Sequence, residues 1–143
     1  RKGTKTIVPQ LLRLLSDNGF NTLYLPRVNN EYRYAYGIER VFIPREPISG
    51  LDACFYSRAV LSGAGSLTRE AACLGRPAVS FYAGKRLLAV DEQMIDNGWL
   101  LHSRNPQEIL GHVLRAKSRQ FDRVRSKKVQ DSVFRELDEI LIG

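Results

Sequence analysis

The feature of this sequence that most constrains its fold is a regular alternation of short apolar segments with amphipathic ones. Apolar runs of strand length recur in "NTLYLP", "RVFIP", "AVLSG", "PAVSFY" and "GWLLHS". Helical periodicity fills most of the chain between them and ends in a long helix from about Phe121 to Leu141. Short apolar strands that alternate with helices are typical of a parallel sheet covered on both faces. The sequence therefore predicts one Rossmann-like α/β unit over residues 1–143.

Composition limits the class of protein. With 143 residues, the chain is long enough for one domain with a hydrophobic core. A content of 43% hydrophobic and 26% charged residues is typical of a soluble globular protein. No apolar run approaches the ~20 residues that a membrane-spanning helix needs, and no signal peptide opens the sequence. We therefore expect a cytoplasmic protein without a membrane span.

The two cysteines, Cys54 and Cys73, each lie among apolar neighbours, and neither belongs to a Cys-x-x-Cys pair. Because the chain also has only two histidines, the sequence does not predict a zinc site. Free cysteine is among the most frequently buried residue types, so we expect both thiols to be buried. We expect neither a metal nor a cofactor.

The net charge of +7 makes an anionic partner worth considering. Basic residues are concentrated between Arg115 and Lys128, in "RAKSRQFDRVRSKK". This run has no ladder of stacking aromatic residues and no nucleic-acid-binding signature, so it favours a solvated helix face. A basic nucleic-acid-binding domain stays open as an alternative function, although we do not expect nucleic acid as the partner.

A glycine-containing turn is predicted where the third strand meets the next helix. Residues Gly63-Ala64-Gly65-Ser66 occupy this turn, at the edge of a parallel sheet where ligands bind. Free backbone N–H groups and the helix dipole suit a phosphate or diphosphate there, with hydroxyl donors from Ser66 and Thr68. Glu70, one turn further, could accept hydrogen bonds from neutral hydroxyls such as those of a ribose. The alternative is that the glycines serve only close packing of strand and helix.

The stretch from Gly63 to Leu110, "GAGSLTREAACLGRPAVSFYAGKRLLAVDEQMIDNGWLLHSRNPQEIL", resembles the C-terminal domain of GT-B type enzymes. It is similar to UDP-N-acetylglucosamine 2-epimerase, to the N-acetylglucosaminyltransferase of peptidoglycan synthesis, and to an archaeal family of uncharacterised proteins in that superfamily. Glu70, Gly75 and Pro77 match the pattern E-x-x-x-x-G-x-P.

The resemblance implies roles for residues of this chain. Gly63, Ala64, Gly65, Ser66 and Thr68 would hold the diphosphate of a UDP-sugar, and Glu70 would bind its ribose. Ala64 departs from the serine of the epimerase, although Ser62 and Ser66 lie close by in the sequence. In the loop after the next strand, the resemblance implies anion contacts by Lys85 and Arg86. Asp91 and Gln93 are candidates for sugar hydroxyls or for simple solvation on a helix. The resemblance assigns no catalytic residue.

One strand of the expected sheet has no counterpart in the sequence. In the doubly wound order, the strand that precedes the first helix lies in the middle of the sheet, and "RKGTK" is too short and polar to form it. The gap would be filled by direct pairing of "NTLYLP" with "AVLSG", by a second copy of the chain, or by upstream polypeptide. Because unpaired strand edges are costly, we expect the isolated chain to self-associate as a homo-oligomer or to be marginally stable.

The sequence thus predicts the nucleotide-sugar-binding half of a GT-B type glycosyltransferase or sugar epimerase, inactive by itself. Its expected partner is a nucleotide-sugar such as UDP-N-acetylglucosamine. The partner N-terminal domain of such an enzyme is expected to be missing from residues 1–143. A non-catalytic structural or oligomerisation domain is the remaining alternative.

Overall fold

The computed structural model describes residues 5–142 and has the predicted α/β class. The strands are β1 (Thr22–Leu23), β2 (Val41–Phe42), β3 (Val60–Ser62), β4 (Ala78–Ser80) and β5 (Leu101–His102). The helices are α1 (Val8–Asp17), α2 (Gly50–Tyr56), α3 (Gly65–Cys73), α4 (Ala89–Asp96), α5 (Pro106–Arg115) and α6 (Arg123–Ile142). A 3-10 helix at Asn29–Ala35 separates β1 from β2. None of the described helices is long and apolar enough to cross a membrane.

All strand pairings are parallel, but the strands form two small sheets rather than one. The first sheet pairs β1 with β2, and the second has the order β3-β4-β5. Within residues 5–142, no strand pairing joins β1 to β3, so the direct pairing considered from the sequence does not occur. The prediction that "RKGTK" forms no strand falls mostly on residues 1–4, which lie outside the described residues.

The three-stranded sheet is covered on both faces, as predicted. Successive side chains of a strand point to opposite faces, so Ala78 and Val79 of β4 enter different core clusters. One cluster contains Cys54, Val60, Ala71, Ala72, Ala78, Met94 and Leu100. The other contains Leu11, Leu15, Val79, Ile109, Leu110 and Val113. Helices α2, α3 and α4 therefore cover one face, and α1 and α5 cover the other.

Helix α1 carries an amphipathic face that buries Leu11, Leu12 and Leu15. It ends before Gly19, whose φ of 79° lies in the left-handed region that favours glycine. Ile7 is the N-cap residue and makes no side-chain cap bond. Thr6 Oγ1 accepts a hydrogen bond from the Val8 N–H at 3.3 Å.

Helix α3 ends in a Schellman motif at Gly75. The Gly75 N–H donates to the Ala72 carbonyl at 3.0 Å, and the Arg76 N–H donates to the Ala71 carbonyl at 2.9 Å. Gly75 has a φ of 77°, and the Arg119 carbonyl oxygen occupies the place that a Cβ would take. The Arg119 N–H also donates to the Gly75 carbonyl at 2.7 Å. This glycine is therefore fixed by its own conformation and by the chain that follows α5.

The basic stretch from Arg115 to Lys128 is only in part the solvated helix face that the sequence favoured. Its residues span the end of α5, a loop and the start of α6. The guanidinium groups of Arg119 and Arg125 lie over the Trp99 ring, at 4.8 and 4.1 Å from its centroid. Helix α6 has no buried residue along its 20-residue length. Two arginines of the stretch therefore contact Trp99, which follows α4, and the rest of α6 is solvated.

The two thiols differ in environment. Cys54 is buried on α2 as predicted, whereas the prediction for Cys73 is wrong, because this residue lies exposed at the end of α3. Burial raises the pKa of the Cys54 thiol, and the negative charge of Glu70 raises that pKa further. The Cys54 thiolate is therefore scarce and inaccessible at neutral pH.

Alkylation should separate the two thiols. Because the thiolate is the reacting form, iodoacetamide at about pH 8 is expected to modify Cys73 and leave Cys54 unmodified in the folded chain. Peptide mass spectrometry measures this, and a Cys73→Ser variant that takes up no label serves as the control. Labelling of Cys54 at the rate of Cys73 would contradict the buried position.

Folding raises the pKa of the Cys54 thiol. The contribution of this thiol to the free energy of unfolding is therefore complete below its unfolded-state pKa and is lost as pH rises through its folded-state pKa.

Candidate functional site

The predicted glycine turn lies where β3 ends and α3 begins. Ser62, the last residue of β3, accepts a hydrogen bond on its Oγ from the Ala64 N–H at 3.0 Å. Ala64 is the N-cap residue with an extended backbone, and Gly65 is the first residue of α3. The first N–H groups of a helix have no partner inside it, and they carry the positive end of its dipole. The turn thus presents backbone donors at the carboxyl edge of the sheet.

The two glycines of the turn lack a side chain for different physical reasons. A Cβ on Gly63 would lie 2.9 Å from Cε2 of Phe81, so Gly63 permits close packing against the residue that follows β4. A Cβ on Gly65 would lie 2.5 Å from Nη1 of Arg69. The absence of a side chain at Gly65 therefore leaves room for a guanidinium group beside the start of α3. The packing alternative accounts for Gly63 but not for Gly65.

Arg69 is held in this position by an ion pair across two helices. Its Nη1 donates to Asp91 Oδ1 at 3.0 Å, and this bond joins α3 to α4. The Asp91 side chain is only 9% exposed and that of Arg69 is 25% exposed, so the pair is largely withdrawn from solvent. A buried carboxylate requires such a partner, and the pairing restricts where the guanidinium can lie. Asp91 therefore orients Arg69 in this structure.

Thr68 and Ser66 differ in the availability of their hydroxyl groups. Thr68 is fully buried, and its Oγ1 donates to the Gly65 carbonyl at 2.9 Å. This bond uses the only donor of the Thr68 hydroxyl inside α3. Ser66 is exposed and lines the cleft described below. Of the two predicted hydroxyl donors, the Ser66 hydroxyl is therefore the one that faces open space.

The other predicted site residues are exposed. Glu70 lies on α3 one turn beyond the glycines and raises the pKa of Cys54 through its charge. Lys85 and Arg86 lie between β4 and α4, and Gln93 lies on α4. Within residues 5–142, no hydrogen bond or ion pair joins Lys85, Arg86 or Gln93 to the turn. The structure thus brings together the turn, Arg69 and Asp91, and leaves these four side chains in solvent.

Serine residues organise the carboxyl ends of all three strands of the larger sheet. Ser80 Oγ accepts from the Tyr82 N–H at 3.4 Å, and Ser103 Oγ accepts from the Asn105 N–H at 3.1 Å. Both bonds resemble the one at Ser62, where a serine at the end of a strand accepts a hydrogen bond from the backbone N–H two residues later. This role of serine was not predicted, although its signal is the serine near the end of "AVLSG", "PAVSFY" and "GWLLHS". These serines fix the loops that surround the turn.

The turn lines a cleft of about 840 Å³. The cleft is also lined by β1, β3 and α1, and by Tyr24 and Glu31. Burial raises the pKa of Tyr24 to about 12, and the charges of Glu31 and Tyr34 contribute to the increase. At neutral pH the Tyr24 hydroxyl is therefore a neutral hydrogen-bonding group, and here it donates to the Glu31 carbonyl at 3.5 Å. In the described part of the chain, no cluster of His, Cys, Asp and Glu has the composition of a metal site.

Comparisons with known proteins give a family and one distant relative. The family described as "Protein of unknown function (DUF354)" matches residues 2–141. The "Uncharacterized protein MJ0665" of Methanocaldococcus jannaschii is 30% identical over 112 residues, which cover 78% of this chain and 32% of the relative. The chain therefore spans about a third of that relative's length. No solved structure matches the chain.

Proposed function

This chain belongs to the DUF354 family, and we propose that it is the nucleotide-sugar-binding domain of a GT-B type glycosyltransferase or sugar epimerase. The observation that carries the proposal is the guanidinium of Arg69, which lies against Gly65 at the start of α3 and is held there by Asp91. A helix start already attracts anions, and the guanidinium beside it adds charged N–H donors besides the one that Asp91 accepts. A phosphate or diphosphate is the ligand that suits this combination.

The remaining parts of the ligand follow from the surroundings of the turn. Backbone N–H groups of Gly63, Gly65 and Ser66 would hold the diphosphate, with Arg69 on one side, while the Ala64 N–H is used by Ser62. Lys85 and Arg86 are free to approach from the next loop, because both side chains are exposed. Glu70 is exposed one turn along α3, where its carboxylate could accept hydrogen bonds from a ribose. UDP-N-acetylglucosamine is the ligand class that the sequence resemblance favours.

We propose that a complete activity needs polypeptide beyond residues 1–143. The matched part makes up 32% of the relative, and the chemistry of GT-B type enzymes takes place between two domains. In the proposed enzyme, the turn and Arg69 would stabilise the negative charge that develops on a departing UDP. We therefore propose binding, without turnover, for residues 1–143.

A nucleic-acid-binding function is less well supported. Its candidate surface, Arg115 to Lys128, includes Arg119 and Arg125, whose guanidinium groups lie over the Trp99 ring. Arg119 Nη2 also donates to the Ala72 carbonyl at 3.0 Å. Arginines engaged in this way are less available to contact phosphates than free ones. An affinity for duplex DNA that falls with salt at a slope near −0.9 per neutralised phosphate would favour this alternative.

Titration calorimetry with UDP tests the proposal. Arg69→Gln removes the positive charge but keeps a hydrogen-bond donor, and it is expected to weaken UDP binding at least ~10-fold, because charged hydrogen bonds contribute about 1.5–3 kcal/mol. Arg69→Lys should restore part of the affinity, since it keeps the charge. Arg135→Gln, on the exposed α6, is the matched control and should leave binding unchanged. Equal UDP affinity in Arg69→Gln and the parent chain would rule out the proposed site.

A further inference from the structure

The cleft between β1 and β3 separates two sheet edges that face each other. Its walls are mostly apolar and come from α1, β1 and β3, including Leu11, Leu15, Leu23, Leu25, Leu61 and Phe81. Leu23 is 46% exposed, an unusual position for a leucine in a central region of an α/β fold. The apolar lining of the cleft is thus similar to that of a protein core.

Among residues 5–142, the backbone of both strands has hydrogen-bonding groups without a partner on the side of the cleft. In β1, the Thr22 and Tyr24 N–H groups donate to Arg40 and Phe42 of the β2 side, both at 2.8 Å. Alternate residues of a strand direct their backbone groups to opposite sides, so those of Leu23 point away from β2 and into the cleft.

The same alternation applies to β3. The Val60 N–H donates to the Pro77 carbonyl at 2.9 Å, and the Ser62 carbonyl accepts from the Phe81 N–H at 3.0 Å. The backbone groups of Leu61 therefore point away from β4 and toward the cleft. Two facing edges, each with a free donor and acceptor, match the two edges of a single inserted strand.

We propose that this cleft receives a β-strand from the polypeptide directly upstream of residue 1, which would join the two sheets into one. The chain enters α1 from the cleft, because Thr6, Ile7 and Val8 all line it. Helix α1 packs against α5 on the three-stranded sheet and then leads into β1. A strand before α1 would therefore complete a strand–helix–strand unit with β1 as its second strand.

The direction of the inserted strand follows from Lys5. Its carbonyl accepts a hydrogen bond from Arg104 Nη2 at 2.8 Å, and Arg104 follows β5 at the carboxyl edge of the sheet. A strand that ends near Lys5 therefore ends at the same edge as β3, β4 and β5, which makes it parallel to them. The matched region makes up 32% of the relative, so that protein has further polypeptide outside the matched region.

The inserted strand would also define where the sheet order reverses. The combined order would be β2, β1, the new strand, β3, β4 and β5. Connections run outward in opposite directions from the new strand, and ligands of open α/β sheets bind at such a point. The glycine turn after β3 is adjacent to it. This inference concerns the fold and does not depend on the proposed nucleotide-sugar ligand.

Residue-resolved amide exchange on the longest natural polypeptide that contains this chain tests the inference. The Leu23 and Leu61 amides are the reporters, and the Thr22 and Val60 amides, paired within the described sheets, are the internal controls. We expect Leu23 and Leu61 to exchange within about tenfold of their controls, as amides of one cooperative sheet do. Exchange of Leu23 and Leu61 at the rate of open, solvated amides would overturn the proposal.

A dilution series distinguishes the upstream strand from a second copy. Protection supplied within one polypeptide is expected to be the same at two protein concentrations ~100-fold apart, because an intramolecular strand does not dissociate on dilution. Protection of Leu61 that decreases on dilution would assign the cleft to a second copy of the chain and would likewise overturn the proposal.

Discussion

Replacing Gly75 with alanine is expected to lower the free energy of unfolding by more than about 3 kcal/mol, a large fraction of the stability of a domain this size. Two effects combine at this position. The φ of 77° costs a residue with a Cβ about 1–2 kcal/mol, and the new methyl group would collide with the Arg119 carbonyl oxygen. Because that oxygen belongs to the backbone, the collision is relieved only by moving the segment that follows α5. Urea unfolding monitored by circular dichroism measures the change.

Gly98 offers the matched control. It follows α4 as Gly75 follows α3, with a φ of 68°, but nothing lies within 4 Å of the place where its Cβ would be. Gly98→Ala should therefore cost only the conformational term of about 1–2 kcal/mol. The difference between the two variants isolates the contact with Arg119. Equal destabilisation by both substitutions would contradict a close packing of the Arg119 segment on Gly75.

Gly65→Ala is expected to weaken UDP binding by more than ~10-fold while the chain stays folded. The added methyl would meet Arg69 Nη1, and a flexible side chain can move away at little cost to stability. The displaced guanidinium would leave its place beside the turn, and the methyl would stand between the ligand and the backbone. Affinity by calorimetry and the melting temperature are measured on the same sample.

The control for Gly65→Ala lies in α5. A Cβ on Gly111 would approach the guanidinium of Arg115, also four residues later, at 3.1 Å, but α5 covers the opposite face of the sheet from α3. Gly111→Ala should leave UDP binding unchanged and, within a helix, should not reduce stability, because alanine has the higher helix propensity. If Gly65→Ala unfolds the chain, Gly65 serves packing; if it folds and binds UDP normally, no phosphate rests on this backbone.

Local sequence patterns predicted the elements and the turn because the required signals lie within a few residues of one another. The start of α5 is an example of such a local signal: Asn105 Oδ1 accepts from the Gln107 N–H at 3.0 Å. Glu108, three residues after Asn105, does not return to this cap but accepts a 2.6 Å bond from the Ser103 hydroxyl. The serine competes for the carboxylate because it ends the preceding strand only five residues earlier.

The central element of the candidate site could not be predicted in this way. Arg69 and Asp91 are 22 residues apart and lie on different helices, so no periodicity relates them. Their pairing depends on how α3 and α4 pack, which is decided by the whole core. Solvation of Asp91 on the helix surface is expected from the sequence, since a carboxylate is rarely buried without a partner, and this expectation is wrong because Asp91 is buried against Arg69. The sequence shows only that Gly65 and Arg69 lie about one helical turn apart. The structure is needed to show that the Arg69 guanidinium lies beside Gly65.

The charges of α6 are arranged against the helix's own dipole. Its first two turns carry Arg123, Arg125, Lys127 and Lys128, and its last turns carry Glu136, Asp138 and Glu139. Cations at the positive end and anions at the negative end of a helix destabilise it, and α6 has no buried face to compensate. Dissolved salt screens this repulsion, so we expect the helical content of α6 to increase with ionic strength, even as the exposed Lys127–Asp131 ion pair within α6 weakens. We therefore expect α6 to become more ordered at high salt, or against a protein surface whose charges are opposite to those of the helix.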